Sequence, residues 1–158
     1  MKPALTSLDF YNKYGHPDLK RNLIMLDIPM EMEIGVIPKK LYCNKDIVDS
    51  LLTAFVNLIN RNCVDELKTF DGCYNFRPIR GYEKKYEALI AKGLIEQAMK
   101  YLSIHSWAGA IDVNASWNRL NMKPTLSPEF VKCFTDAGFD WGGNFKRLDG
   151  MHFQLKSI

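Results

Sequence analysis

The sequence SIHSWAGAIDVN at residues 103–114 is the segment from which the rest of the fold can be inferred. Small and apolar residues alternate from Ala108 to Val113, which predicts a strand. His105 then lies in the loop before this strand, and Asp112 lies near its far end. A second piece, DGMHF at residues 149–153, carries another histidine and another carboxylate close to the C-terminus. For the two pieces to act together, the rest of the chain must bring them close.

Three other segments have the apolar spacing of helices. One begins after Asn44, which is placed as its N-cap. Another runs from a Ser127 cap to Gly138, a residue type that commonly ends helices. Residues 83–101 are predicted as one broken helix or two short ones around Gly93.

The remaining segments predict strands and loops. Residues 32–43 contain a short strand or extended segment, residues 73–81 form an aromatic-rich strand, and residues 151–155 form the final strand. Residues 1–30 are expected to be a loop-rich lead-in packed onto the domain. Because no repeat or linker interrupts the chain, residues 1–158 are predicted to form a single domain of α+β type.

Composition limits the possible classes of protein. A chain of 158 residues with 47% hydrophobic content can bury a core without help from disulfides. The formal net charge of +3 comes without concentrated basic blocks, so nucleic acid is not an expected partner. A mildly basic surface is compatible with an anionic polymer such as the bacterial cell wall, and equally with an ordinary basic protein.

The cysteine spacing and the N-terminal sequence indicate the cellular compartment in which the protein is made. The four cysteines form no CxxC pair and are expected to be reduced, largely buried thiols. The N-terminus has no apolar run typical of a signal peptide, and no stretch reaches the ~18 apolar residues of a transmembrane segment. The protein is therefore expected to be made in the cytoplasm and to need another route to any wall substrate.

The histidines and acidic residues of the two opening pieces suggest a metal site. Two imidazoles and a carboxylate are common zinc donors, and a second carboxylate can act as general base. Asp149 lies three residues before His152, so one turn or strand could place the imidazole on the metal and the carboxylate near the attacking water. His105 and Asp112 are seven residues apart, a spacing that also occurs by chance, so scattered surface histidines are the alternative. His16 is interpreted as a turn residue.

Two arginines lie at the end of the strand predicted at residues 73–81. Arg77 or Arg80 could stabilise an oxyanion or bind a substrate carboxylate through a bidentate fork. The alternative is that both are solvated surface residues.

The motifs Ser103-Ile104-His105, Ala110-Ile111-Asp112 and Asp149-Gly150-Met151-His152-Phe153 resemble a family signature, Ser-x-His-x6-Asp followed by acid-x-x-His. It is the signature of the zinc D-alanyl-D-alanine carboxypeptidase superfamily, and the nearest likeness is to the L-alanyl-D-glutamate peptidases of bacteriophage endolysins. Further matching residues are Trp107, Asn114, the run at residues 76–81 and the run at residues 138–143.

The resemblance implies a set of roles. Zinc would be held by His105, Asp112 and His152, with Asp149 as the general base. Arg77 would lie near the substrate with Arg80 as the second candidate, and Ser103 and Trp107 would contribute to substrate binding or to ligand orientation. The implied fold is the hedgehog/DD-peptidase-like α+β fold, a small antiparallel sheet flanked by helices.

The chain departs from the family pattern in two places. The family commonly has Gly three residues after the first histidine, where this chain has Ala108 followed by Gly109. The segment 82–100 is longer than expected and could form a lid or reshape the substrate groove.

The implied activity is hydrolysis of an amide bond in peptidoglycan stem peptides. The bond between L-alanine and D-glutamate is expected to be the one cleaved. A D-alanyl-D-alanine carboxypeptidase or dipeptidase is one alternative, and a non-catalytic phage structural or wall-binding protein of the same fold is another. The enzyme is expected to be a monomer and to reach the wall through holin-type release or virion delivery.

Overall fold

The computed structural model describes residues 2–158, which contain five α-helices and six β-strands. The helices are α1 (Ser7–Tyr14), α2 (Val48–Asn60), α3 (Glu83–Ala91), α4 (Ile95–Met99) and α5 (Pro128–Thr135). The strands are β1 (Leu23–Asp27), β2 (Lys40–Asn44), β3 (Phe70–Gly72), β4 (Ala110–Val113), β5 (Phe139–Trp141) and β6 (His152–Leu155). This mixture of helices with small antiparallel sheets is consistent with the predicted α+β class. Among residues 2–158, no helix has the length and apolar content that crossing a bilayer requires.

A four-stranded antiparallel sheet holds both opening sequence pieces. Its strand order is β3-β4-β6-β5. In the pairing of β4 with β6, Asp112 lies directly opposite His152. Strands β1 and β2 form a separate two-stranded sheet. The strands predicted at residues 108–113 and 151–155 are confirmed as β4 and β6.

The main core lies between the helices α2 and α5 and one face of the four-stranded sheet. Leu51 and Phe55 of α2 are fully buried. From α5, the ring of Phe134 stacks on the ring of Phe153 in β6, with centroids 4.5 Å apart. Because successive strand residues point to opposite faces, His152 faces away from this helical core.

The predicted helical segments are present, with small differences at their ends. Helix α2 begins at Val48 rather than directly after Asn44, and α5 ends at Thr135, before Gly138. The Asn44 side chain caps the 3-10 turn that leads directly into α2. Ser127 caps α5 by accepting a hydrogen bond from the amide of Phe130. Gly93, at a φ of 73°, separates α3 from α4, so the segment forms two short helices.

The lead-in predicted at residues 1–30 packs onto the domain as expected, but residues 2–30 contain more regular structure than the predicted loops. This region contains α1 and β1, and Phe10 of α1 is fully buried in the core. The helix begins with a capping box in which Thr6 and Asp9 satisfy each other's backbone amides. A helix of eight residues shows too few turns for apolar spacing to stand out, although the Thr6-x-x-Asp9 pattern is a start signal.

Two predicted strands are displaced. Residues 73–81 form no strand beyond a single bridge between Pro78 and Leu102, and β3 lies just before them. The segment is extended, but its backbone bonds to the turns at residues 101–106, as in Ser103 N–H to Arg77 O at 2.9 Å. In the range 32–43, the strand begins only at residue 40.

Candidate metal centre

Three side chains converge between β4, β6 and the turn before β4. His105 Nε2 lies 3.2 Å from Asp112 Oδ2, and His152 Nδ1 lies 3.4 Å from Asp112 Oδ1. One donor atom from each of the three residues lies within 4.8 Å of the others. Both histidines are buried, at 3% and 8% exposure, so the scattered surface histidines considered as the alternative are excluded.

A 3-10 turn at Ile104–Trp107 presents His105 to the sheet. Ser103 caps this turn, because its Oγ accepts a hydrogen bond from the amide of His105 at 3.2 Å. Ala108 then adopts a left-handed conformation with φ of 53° and ends the turn. Ser103 is itself buried, which favours its predicted role in ligand orientation over direct contact with a substrate.

The ring orientation of His105 is fixed by a backbone carbonyl. Its Nδ1 lies 2.8 Å from the carbonyl oxygen of Cys73. A carbonyl only accepts, so Nδ1 carries the proton and Nε2 keeps a lone pair directed toward Asp112. This is the arrangement that a metal-binding histidine requires.

The donor set fits a divalent cation. His105 Nε2 and Asp112 Oδ1 are buried atoms with no hydrogen-bond partner, since the short imidazole–carboxylate contacts lack hydrogen-bond alignment. Buried polar atoms without partners are rare and need an explanation. Two imidazole nitrogens and a carboxylate oxygen match the three protein ligands of catalytic zinc sites.

The electrostatics of the cluster are dominated by Asp112. Burial alone would raise the pKa of Asp112, but the imidazoles of His105 and His152 outweigh this effect and hold it well below its usual range. Burial would likewise lower the pKa of His152, but the Asp112 carboxylate raises it overall. Asp112 therefore remains ionised and offers a carboxylate to a cation bound between the two imidazoles.

Asp149 is held at the edge of the cluster by its backbone. Its amide donates to Gly142 O at 3.0 Å, and its carbonyl accepts from the amide of His152 at 3.1 Å. A Cβ at Gly142 would lie 2.3 Å from Asp149 O, so only glycine permits this approach. Burial, together with the like charge of Asp112, raises the pKa of Asp149 against the opposite effects of nearby cations.

Arg77 and Arg80 occupy different environments. Arg77 is half-buried, and its Nε is buried without a hydrogen-bond partner. Burial lowers its pKa, as does Arg80, whereas Asp112 and Asp149 act in the opposite direction. Arg80 is exposed, and its carbonyl accepts a hydrogen bond from Arg147. Of the two arginines, Arg77 is therefore the one shown to interact electrostatically with Asp112 and Asp149.

Trp107 is placed differently from its predicted role in substrate binding. The side chain is 2% exposed, and its indole N–H donates to Gly15 O at 2.8 Å. Its ring packs near Phe10 of α1, with centroids 6.2 Å apart. With its surface covered and its only donor used, Trp107 packs α1 against the turn that carries His105.

The predicted set of site residues omits Gln154. This residue is buried in β6, and its Oε1 lies 2.9 Å from His152 Nε2. The only sequence signal is its position two residues after His152, which places both side chains on one face of the strand.

A family model described as D-alanyl-D-alanine carboxypeptidase matches residues 96–155. The matched segment includes the three candidate ligands and Asp149, and it covers less than half of the chain. No curated protein and no solved structure gives a significant match. Over residues 96–155 the chain is thus similar to a carboxypeptidase family, and the buried His105, Asp112 and His152 within this segment could hold a metal ion.

Proposed function

We propose that this protein is a zinc-dependent peptidase that hydrolyses an amide bond in peptidoglycan stem peptides. The observation that carries the proposal is the buried cluster of His105, Asp112 and His152, with two of its donor atoms lacking any hydrogen-bond partner. The hedgehog/DD-peptidase-like fold and the single-domain organisation belong to the same proposal. The proposal also includes a monomeric state and access to the cell wall through holin-type release or virion delivery.

The residues of the chain have separable roles in the proposed reaction. Zinc, when bound by the three ligands, supplies Lewis acidity toward a carbonyl and makes water more acidic. Asp149 takes the proton of the attacking water, and its raised pKa keeps it a competent base nearer to neutral pH. Arg77 stabilises the negative charge that develops on the carbonyl oxygen, or holds a substrate carboxylate.

The bond between L-alanine and D-glutamate is the proposed site of cleavage, as in the endolysin peptidases that the motifs resemble. A D-alanyl-D-alanine carboxypeptidase is the second candidate, because the matching family model carries that description. The two activities release different products from purified wall. Mass spectrometry of the soluble fraction distinguishes a new N-terminal D-glutamate from free D-alanine.

The test compares the wild-type protein with Asp149→Ala on purified peptidoglycan with zinc supplied. We expect the variant to keep its zinc and its fold and to lose hydrolysis, because the base is removed and the ligands remain. Loss of zinc by Asp149→Ala would show that Asp149 is a ligand. A wild-type protein that binds zinc but leaves peptidoglycan of several chemotypes intact would instead favour a non-catalytic wall-binding protein.

A further inference from the structure

A buried amide side chain links the proposed metal centre to the N-terminal segment. Gln154 is 2% exposed, and its Nε2 donates to the carbonyl oxygen of Leu5 at 2.9 Å. Its Oε1 lies 2.9 Å from His152 Nε2. Leu5 and His152 therefore contact opposite ends of the same amide group.

The Leu5 carbonyl determines which way this amide points. A carbonyl oxygen only accepts, so the NH₂ end of Gln154 must face Leu5 and the Oε1 end must face His152. In the reverse orientation, two oxygens would face each other in a buried site, which is costly. His152 Nε2 then has an acceptor as its neighbour and must carry the proton.

This protonation leaves the other ring nitrogen of His152 available. In the neutral imidazole, a proton on Nε2 leaves Nδ1 with its lone pair, and Nδ1 points toward Asp112, on the side where His105 Nε2 also lies. With Nδ1 protonated instead, a hydrogen would occupy the position of the metal. The tautomer of His152 therefore determines whether its Nδ1 can act as the third metal ligand, beside His105 and Asp112.

We propose that Gln154 is a positioning residue which, anchored on the Leu5 carbonyl, holds His152 in the tautomer that binds the metal. The inference rests on the proposed zinc function, and it assigns a part of the metal centre to a segment outside the matched region. Residues that hold metal-binding histidines through the second ring nitrogen typically change metal affinity 10–100-fold when they are lost.

The anchor at Leu5 is itself fixed by its neighbours. Ser7 Oγ donates to Leu102 O, just before the turn that carries His105. Phe10 fills the space beside Gly109, where a Cβ would lie 2.2 Å from the Phe10 ring. The N-terminal segment is thus packed directly against the metal-binding half of the molecule, and the Leu5 carbonyl has little freedom to move.

The test measures zinc affinity and the tautomer of His152 in the full-length chain. Zinc affinity is obtained by competition with a chromophoric chelator, and the tautomer by ¹⁵N NMR of the imidazole in the zinc-free protein. We expect Gln154→Leu to weaken zinc binding about 10–100-fold and to reduce the population protonated on Nε2. Gln154→Glu keeps an oxygen acceptor for Nε2–H, so it is expected to retain the tautomer. Its second oxygen faces the Leu5 carbonyl without a donor, so the variant should also be less stable to heat.

Phe153→Leu is the matched control, because it changes a buried residue of the same strand that faces the helical core. It should lower thermal stability without changing the tautomer, and so separates positioning from general destabilisation. The inference would be overturned if Gln154→Leu kept the wild-type tautomer and zinc affinity. It would also be overturned if Gln154→Leu and Gln154→Glu lost the Nε2-protonated tautomer equally. Failure of the wild-type protein to bind zinc would count against the proposed function, whereas the tautomer of the zinc-free protein tests Gln154 separately.

Discussion

The segment at residues 96–155 and the part of the chain before it contribute differently to the metal centre. The segment supplies all three candidate ligands and the candidate base. The preceding part supplies two backbone carbonyls that orient the imidazole rings. The Cys73 carbonyl contacts His105 directly, and the Leu5 carbonyl acts on His152 through Gln154. Ligands depend on side-chain identity, whereas a carbonyl is present in every residue. A sequence pattern therefore captures the ligands and not the groups that orient them.

The two parts also differ in how they are buried. Strands β4 and β6 lie almost wholly inside the molecule. Strand β1 of the earlier part exposes Met25 at 57%, while Phe10 and Phe55 of the same part are fully buried. The earlier part is thus both scaffold and surface. Variants in each part test this division of roles.

Replacing a ligand should have the largest effect. His105→Ala and His152→Ala are each expected to reduce zinc from about one ion per chain to near zero and to abolish hydrolysis, because two remaining ligands bind zinc weakly. Metal analysis of the purified proteins measures this directly. His16→Ala is the matched control, since His16 only caps a turn by accepting from the amide of Asp18. Stoichiometric zinc in both ligand variants would refute the site.

The next largest effect is expected in the scaffold. Phe10→Ala should cost about 3–5 kcal/mol of unfolding free energy, because it removes a fully buried ring beside Trp107 and Gly109. Met25→Ala, at an exposed position, should change stability by less than about 0.5 kcal/mol. Denaturant titration of both variants gives the comparison. A stable Phe10→Ala protein would mean that the metal-binding half does not depend on α1.

Arg77 tests whether the earlier part also contributes a side chain to catalysis. Arg77→Ala is expected to lower the hydrolysis rate about 10²–10³-fold, the usual cost of losing a donor to a developing oxyanion. Arg80→Ala should have little effect, because Arg80 is exposed. Rates on purified peptidoglycan measure the difference. Equal losses in the two variants would contradict the choice of Arg77.

The smallest effect concerns stability and pH. Burial raises the pKa of Asp149 in the folded protein, so its ionised form opposes folding at neutral pH, and this cost disappears as pH falls through the raised pKa. The zinc-free Asp149→Asn protein should therefore melt at a slightly higher temperature than wild type at pH 7. The difference should shrink toward acid pH. Glu87→Gln, on exposed helix α3, removes one charge without burial and should show no such trend.

The convergence of the three candidate ligands could be predicted, because zinc chemistry demands particular side chains and these occur here in short motifs. The long helix α2 and the capped helix α5 were predictable because apolar spacing and a cap residue agree in each. The short helix α1 was not, since its stability comes from packing Phe10 on residues about a hundred positions away. Gln154 was not predictable either, because a glutamine in a strand is ordinarily a polar residue without a special role.

The pairing of β4 with β6 places Asp112 opposite His152, so the two ligands meet only in one strand register. A slip of one residue would turn His152 toward the helices and bring Phe153 to the metal side. The proposed zinc ion would therefore stabilise only chains whose sheet is paired in this register, because chains with a shifted register lack the site.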